Sequence, residues 1–420
     1  MRSVAEHLGE CLAAVGPLPP LVVALPDAVG CVLAEDIAAE ADLPIVDLAA
    51  RDGYAVRAEE VALGLARLPA GEVSLVLPVL GDQLPGVASG ISHVEGTCVR
   101  IASGAPMPSG ADAVIPIEHT DHGEVRVSVT RAVEAGAYVR SRGQDTRAGV
   151  TVLPRGIRVG ARQIAVLAGL GRGRLAVHPR PRVVVVSIGD ELIEPGSSGG
   201  VVGGAGGARA AAGAVFDANG HALTTAARDA DATTFRVAAV PDERHALRET
   251  LEDQMVRADV IVTTGGLSYG AGDTVKDVLG PLGTVRFDNV AISPGRQLGV
   301  GTVGDSDTPI FCLPGDPVAA QVAFESFVRP ALRKMAGRAG LYRDSVEARV
   351  EDGWESPAGR RQFVPVRLSG SLGAGYVAEV CGVPGQPLLT ALADANAFAV
   401  VPENQTRVAV GDRLYCMVLG

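Results

Sequence analysis

The chain has 420 residues, 47% of them hydrophobic but only 4% aromatic, and a formal net charge of −11. That length exceeds one ordinary core and calls for several domains, packed mainly by Ala, Val, Leu and Gly. The acidic balance argues against nonspecific nucleic-acid binding, and an anionic ligand would need locally concentrated cations.

Six scattered cysteines (Cys11, Cys31, Cys98, Cys312, Cys381 and Cys416) form no C-x-x-C pair and read as reduced thiols of a cytoplasmic protein. The N-terminal MRSVAEHLGECL carries Glu6 and Glu10 and lacks the form of a signal peptide. No run approaches the roughly 18 apolar residues of a spanning helix, so no membrane insertion is expected. His7, His93, His119, His122, His178, His221 and His245 form no metal motif and read as surface or capping residues.

Taken in order, Val4, Leu8, Leu12 and Val15 share one face of a helix over 3–15, which Pro17, Pro19 and Pro20 stop. Ala28–Leu33 and Leu43–Val46 flank a polar, helix-like stretch. Residues 70–140 alternate short apolar runs (VSLVLPVL, TCVRIAS, DAVIPIE, EVRVSV) with Gly and Pro turns, a β-rich pattern. Arg140–Gly149 is expected as a return strand and Ile157–Leu170 as a helix. An α/β region follows, over about 178–337, interrupted by the low-complexity segment 197–213, expected as a flexible surface insertion. The tail from Leu341 carries five short strand patterns, which fit a small antiparallel sheet or barrel.

Within the α/β region, Ala258–Thr264 is rich in β-branched residues and free of Pro and Gly, the pattern of a buried strand. It leads into a loop with Gly265, Gly266, Gly270 and Gly272, and then to Asp273, which starts a helix with Lys276 in its first turn. This arrangement presents free backbone N–H groups to an anion. An ordinary strand-to-helix connection capped by Asp273 explains the same residues. The loop is neither G-x-G-x-x-G nor G-x-x-x-x-G-K-[ST]. Arg182–Ile188 likewise runs into Gly189-Asp190-Glu191, and Pro309–Leu313 into Pro314-Gly315-Asp316-Pro317. Strands that end in Gly-plus-acid turns predict one parallel sheet with those turns along its carboxyl edge, where open α/β sheets bind ligands.

SIGDELIEPG, TTGGLSYGAGDTVKDVL, AISPGRQLGVG and LPGDPVAAQVAFESFVRPAL follow ARDGYAVRAE, IASGAPMPSGADAVIPIE and VRSRGQDTRAG. On these segments nearly the whole chain resembles the molybdenum insertases, MoeA and the C-terminal part of gephyrin. The resemblance implies an α/β multidomain protein. An α/β molybdopterin-binding domain with a parallel sheet would span 1–20 and 178–337. An elongated linker domain (21–42 and 147–177) would carry an inserted β-rich domain (43–146), and a C-terminal β-barrel domain would span 338–420. The implied activity is Mg2+-dependent insertion of molybdate into adenylated molybdopterin with release of AMP, by a cytoplasmic homodimer. Cleaving a phosphoanhydride beside a polyanion needs carboxylates for the cation and donors for phosphate oxygens.

By the same resemblance, Glu191, Asp273, Asp52 and Asp145 are catalytic, and Glu191, Asp242 and Asp273 hold the metal. Substrate contacts would come from Ser103, Asp190, Asp217, Asn219, Gly265, Gly266, Ser268, Lys276, Arg296 and Arg360. Asp52, Ser103 and Asp145 would complete a site on the partner subunit. Turn or capping roles remain open for Asp190, Asp52 and Asp145, and an N-cap role for Asp242 ahead of ERHALRETLEDQM.

The chain departs from the family pattern at several places. The K-P-G-K motif reads Ser293-Pro294-Gly295-Arg296, so one lysine charge is lost. L-P-G-N-P carries Asp316, a good N-cap before Pro317 but an added negative charge. The serine of Q-G-S is missing at Gly385-Gln386-Pro387, and Ser103 stands for a threonine. These departures predict weakened insertase activity. They also leave open a gephyrin-like dimeric scaffold that binds a receptor tail or a cell-division protein.

Overall fold

The structure, a computed structural model, describes residues 1–86, 90–196, 213–267 and 273–419. The chain divides into two compact units, one of 1–34, 156–161 and 174–420, the other of 35–155 and 162–173.

The first unit is built on a mixed sheet of β1 (Arg182–Ser187), β2 (Thr233–Arg236), β3 (Val260–Thr264), β4 (Val285–Asn289), β5 (Gln297–Val303) and β6 (Thr308–Leu313), in the order β2-β1-β3-β6-β5-β4. β2, β1, β3 and β6 are parallel; β5 and β4 continue the sheet antiparallel. The central strands are covered on both faces, which is why they read as continuous apolar runs rather than alternating ones. Successive side chains leave opposite faces. Val183, Val185, Val260 and Val262 join one core, with Val4 and Cys11 of α1 (Val4–Ala13), Leu223 of α2 (Ala218–Asp229) and Leu332. Val184, Val186 and Ile261 join another, with Leu247 and Leu251 of α3 (Arg244–Met255) and Val275 and Leu279 of α4 (Thr274–Leu279). Beyond β6 the chain enters α5 (Pro317–Ala323), a π-turn at Phe324–Val328, and α6 (Arg329–Met335).

A closed barrel follows: β7 (Ser345–Val350), β8 (Arg361–Ser371), β9 (Gly375–Val380), β10 (Ala397–Val401) and β11 (Arg413–Val418). The ring runs β8-β9-β7-β11-β10 and returns to β8, with only the β7–β9 pair parallel. Its interior is filled by small side chains such as Ala348, Ala378, Ala397 and Ala399 with Val350, Val364 and Leu414. That composition suits a barrel too narrow for many aromatics. The short strand Ile292–Ser293 pairs with the start of β8.

The second unit carries a five-stranded sheet in the order 113–116, 53–56, 98–101, 75–83, 126–129. Tyr54, Val56, Leu77, Cys98, Ile115, Val127 and Val129 form one core of it.

Four sequence expectations are corrected. The polar stretch between Leu33 and Leu43 is not helical; Ile37–Ala38 pairs with Thr151–Leu153, so tertiary pairing overrides its helix-forming composition. Arg140–Gly149 is mostly turns rather than a strand, because Asp42 gathers the Ala148 N–H (2.9 Å) and the Arg142 guanidinium (2.7 Å). The helix expected at Ile157–Leu170 begins only at Ala161. Finally, His7 is not a surface residue. It is 2% exposed, edge-on to Phe327 with ring centroids 4.8 Å apart, and burial lowers its pKa to about 4. α1 starts with a reciprocal Ser3–Glu6 capping box, and its inward face takes His7 where an apolar residue would serve. The insertion expected at 197–213 lies, apart from Gly213, outside the described residues. Its flanks are joined by a parallel pairing of Leu192–Ile193 with Val215–Phe216.

Candidate active site

The carboxyl ends of β1, β3 and β6 meet in a cleft of about 300 Å3. Its floor is backbone. A side chain at Gly265 (φ +88°) would stand 2.2 Å from the Ile188 carbonyl oxygen, and one at Gly315 would stand 3.4 Å from Gly265 Cα. Glycine is therefore a packing requirement at Gly265, and it leaves main chain rather than side chain facing the cleft there. Gly265 and Gly266, expected as substrate contacts, both line it, whereas Ser268 lies outside the described residues.

Among the described residues two acids line the cleft, Glu191 after β1 and Asp242 before α3. Asp242 is not the helix cap; Glu243 holds that position. Oδ1 of Asp242 is buried without a hydrogen-bond partner among the described residues. Burial, reinforced by the charges of Asp190 and Glu191, raises its pKa above the usual carboxylate range. Asp190 has the turn-fixing role: its Oδ1 accepts the Asp242 N–H at 2.9 Å. Among the described residues no three His, Cys, Asp or Glu side chains could hold a metal by themselves. Two carboxylates alone suit a cation that takes its remaining oxygens from water and phosphate, as Mg2+ does.

Other expected residues fall elsewhere. Asp273 occupies the N-cap position of α4 but makes no capping bond. Instead it receives Lys276 Nζ at 2.8 Å. Lys276 lines a small recess with Phe287, Asp288 and Gln297, not the cleft itself. Asp217, expected as a substrate contact, is a buried and hydrogen-bonded side chain. It is 1% exposed, accepts the Ser187 hydroxyl and the Gly220 N–H at 2.8 Å each, and takes Arg236 at 3.3 Å. Its carboxylate thereby caps the start of α2 and ties it to the ends of β1 and β2. Asn219, two residues later, does line the cleft.

Ser293 and Gln386 face a common recess, with Pro294, Phe363 and Pro387, so two of the family departures are neighbours in space. Asp316 caps α5 as expected, accepting the Ala319 N–H at 2.8 Å. Arg360 is half-buried directly before β8. In the second unit, Asp52 accepts the Ser103 N–H at 2.7 Å, and the Ser103 hydroxyl donates to the Ala50 carbonyl at 3.3 Å. Asp145 is paired with Arg140 at 3.0 Å. Sequence reasoning missed Ser187, Thr264 and Arg236, whose side chains tie the cleft walls. Ser187 and Thr264 sit in apolar runs, where a hydroxyl gives no signal of its own.

Residues 2–171 match the MoeA N-terminal region (domain I and II), 184–334 the probable molybdopterin binding domain, and 347–419 the MoeA C-terminal region (domain IV). Molybdopterin molybdenumtransferase 1 of Mycobacterium tuberculosis (strain CDC 1551 / Oshkosh) is 37% identical over 98% of this chain and 97% of its own length. Molybdopterin molybdenumtransferase 2 of the same strain is 37% identical over 99% and 98%. The crystal structure of the molybdopterin biosynthesis moeA protein from Pyrococcus horikoshii superposes with a TM-score of 0.81 at 27% identity, covering 100% of this chain and 99% of that one. Among the described residues no helix is long and apolar enough to cross a membrane. With 37% identity over nearly the full length of both chains, a shared fold and a cleft at the sheet's carboxyl edge, the chain belongs to the molybdopterin molybdenumtransferase family.

Proposed function

We propose that the protein is a cytoplasmic, homodimeric molybdopterin molybdenumtransferase that takes adenylated molybdopterin and molybdate and releases AMP. The observation that carries this reading is the cleft in which backbone at Gly265 and Gly266 faces Glu191 and the unpartnered Asp242 Oδ1. Main chain without side chains admits a phosphate closely. Glu191 and Asp242 would hold Mg2+, with Asp273 proposed as the third carboxylate. When bound, Mg2+ neutralises charge on the phosphate oxygens as the anhydride breaks. Asp190 fixes the backbone that carries Asp242. Lys276, Arg296 and Arg360 are the cations proposed for phosphate and molybdate. Asp52, Ser103 and Asp145 would complete the site of the second subunit, and sedimentation as a monomer at micromolar concentration would remove that part of the proposal. The four-domain division at 1–20 with 178–337, 21–42 with 147–177, 43–146 and 338–420 is retained as a proposal.

Ser293, Asp316 and Gln386 make this a weakened insertase. The deciding experiment is Mg2+- and molybdate-dependent release of AMP from adenylated molybdopterin by wild type, Ser293→Lys, Asp316→Asn and the double variant. Restoring one charge-assisted contact of about 1.5–3 kcal/mol is expected to raise the rate roughly tenfold to a hundredfold. Asp316→Asn keeps an N-cap acceptor and removes a repulsive charge. Inactivity of wild type and the double variant alike would refute the enzyme reading and favour a scaffold.

A further inference from the structure

We propose that Asn219 is a positioning residue that latches two walls of the cleft together, rather than a group that contacts substrate. The inference rests on the reading of this cleft as the substrate site. The Asn219 amide donates to the Thr264 hydroxyl oxygen and to the Gly315 carbonyl, both at 2.8 Å. The Thr264 hydroxyl in turn donates to the Pro314 carbonyl at 2.8 Å. One side chain on the first turn of α2 thus reaches the ends of β3 and β6, and both hydrogens of its amide are used on protein.

The latch is itself anchored. Asp217, one residue before α2, is locked by Ser187, Gly220 and Arg236, so the turn that aims Asn219 cannot drift. What the latch holds is the approach of the β6–α5 turn to the β3 turn: a Cβ on Gly315 would be in van der Waals contact with Gly265 Cα, at 3.4 Å. Beyond Gly315 the chain passes directly into Asp316 and the N-terminus of α5. Without Asn219, the Gly315 carbonyl loses its side-chain donor and the β6–α5 turn is free to move against Gly265 and Gly266. A substrate anion that needs both walls at fixed separation would then bind less tightly, while the acids at Glu191 and Asp242 stay in place.

The test combines Asn219→Ala, Asn219→Ser, Thr264→Val and the Asn219→Ala/Thr264→Val double variant. In substrate-free protein, amide hydrogen exchange over 262–267 and 313–319 is expected to accelerate about tenfold in Asn219→Ala and in Thr264→Val, and less in Asn219→Ser, which keeps one donor. In the AMP-release assay each single variant is expected to raise KM about tenfold with kcat changed by less than about threefold. The double variant is expected to be no worse than the poorer single, because the two residues act as one unit. Additive effects on KM with unchanged exchange would overturn the latch and make Asn219 a direct substrate contact. Unchanged exchange and unchanged KM would also overturn it. If Asn219→Ala fails to fold, Asn219→Ser and Thr264→Val decide. If wild type shows no AMP release, the exchange measurement alone decides the latch, and the assay result counts only against the proposed activity.

Discussion

The acids of the cleft and the acids of the smaller unit all sit in turns or loops between regular elements, yet their environments differ. Asp52 is satisfied by the Ser103 N–H, Asp145 by Arg140, and Asp42 by Arg142 and the Ala148 N–H. In the cleft, Asp242 keeps a buried oxygen with no partner among the described residues, and burial raises its pKa. A carboxylate that is already paired stabilises its loop. One that is buried and unpaired costs stability unless something else binds it. The contrast separates carboxylates whose substitution should cost stability from one whose substitution should not. It also predicts which substitutions trade stability for activity.

The largest expected effect is on rate. Glu191→Gln and Asp242→Asn should each lower kcat/KM by roughly a hundredfold or more. Neither should lower the melting temperature, and Asp242→Asn should raise it slightly in metal-free protein, because a poorly compensated charge is removed. In Asp52→Ala the melting temperature should fall instead, since the Ser103 N–H loses its acceptor. If Asp242→Asn destabilises as Asp52→Ala does, the distinction between the two regions is wrong.

Next is the buried anchor. Asp217→Ala leaves the Ser187 hydroxyl, the Gly220 N–H and the Arg236 guanidinium short of a partner, at a cost of about 3 kcal/mol. Urea denaturation would measure it. A change smaller than about 0.5 kcal/mol, with activity lost, would return Asp217 to the substrate contacts.

His7 sharpens the same argument with a base in place of an acid. Burial lowers its folded pKa to about 4, below the 6.5 of an unburied imidazole. The unfolded chain therefore takes up the proton first as pH falls. His7's contribution is fully present above pH 6.5 and is lost progressively down to about pH 4, by at most about 3 kcal/mol. His7→Leu should flatten that part of the stability profile. An unchanged slope between pH 7 and pH 5 would show that other groups dominate.

The smallest effect is expected from deleting 199–212. The flanks of this segment are already joined by the Leu192–Ile193 and Val215–Phe216 pairing, and Glu194 is held by Arg236 at 2.6 Å. Thermal stability should change by less than about 0.5 kcal/mol. A large loss would show that the deleted residues are packed.

Legibility followed burial. The strands at 182–187, 260–264 and 308–313 were readable because both faces are covered, and so were the five barrel strands, bounded by Gly, Pro and Asp turns. The smaller unit was readable only as β-rich. Its strand 75–83 pairs parallel with 98–101 through a register shift and antiparallel with 126–129, and Val76 and Leu80 are left exposed. Mixed pairing and apolar exposure both blur the alternation on which strand reading depends.

By itself the sequence determined the family, the parallel sheet with its glycine turns, the barrel, and the acids from which a cation site could be chosen. Only the tertiary structure decided how those acids divide. Asp217, Asp190 and Asp242 all stand beside strand ends, and nothing local distinguishes them. Asp217 meets Ser187 and Arg236, which lie 30 and 19 residues away, Asp190 meets the N–H of residue 242, and Asp242 Oδ1 meets no partner among the described residues. A carboxylate's role is set by which donors reach it, and here those donors arrive from distant segments through the fold.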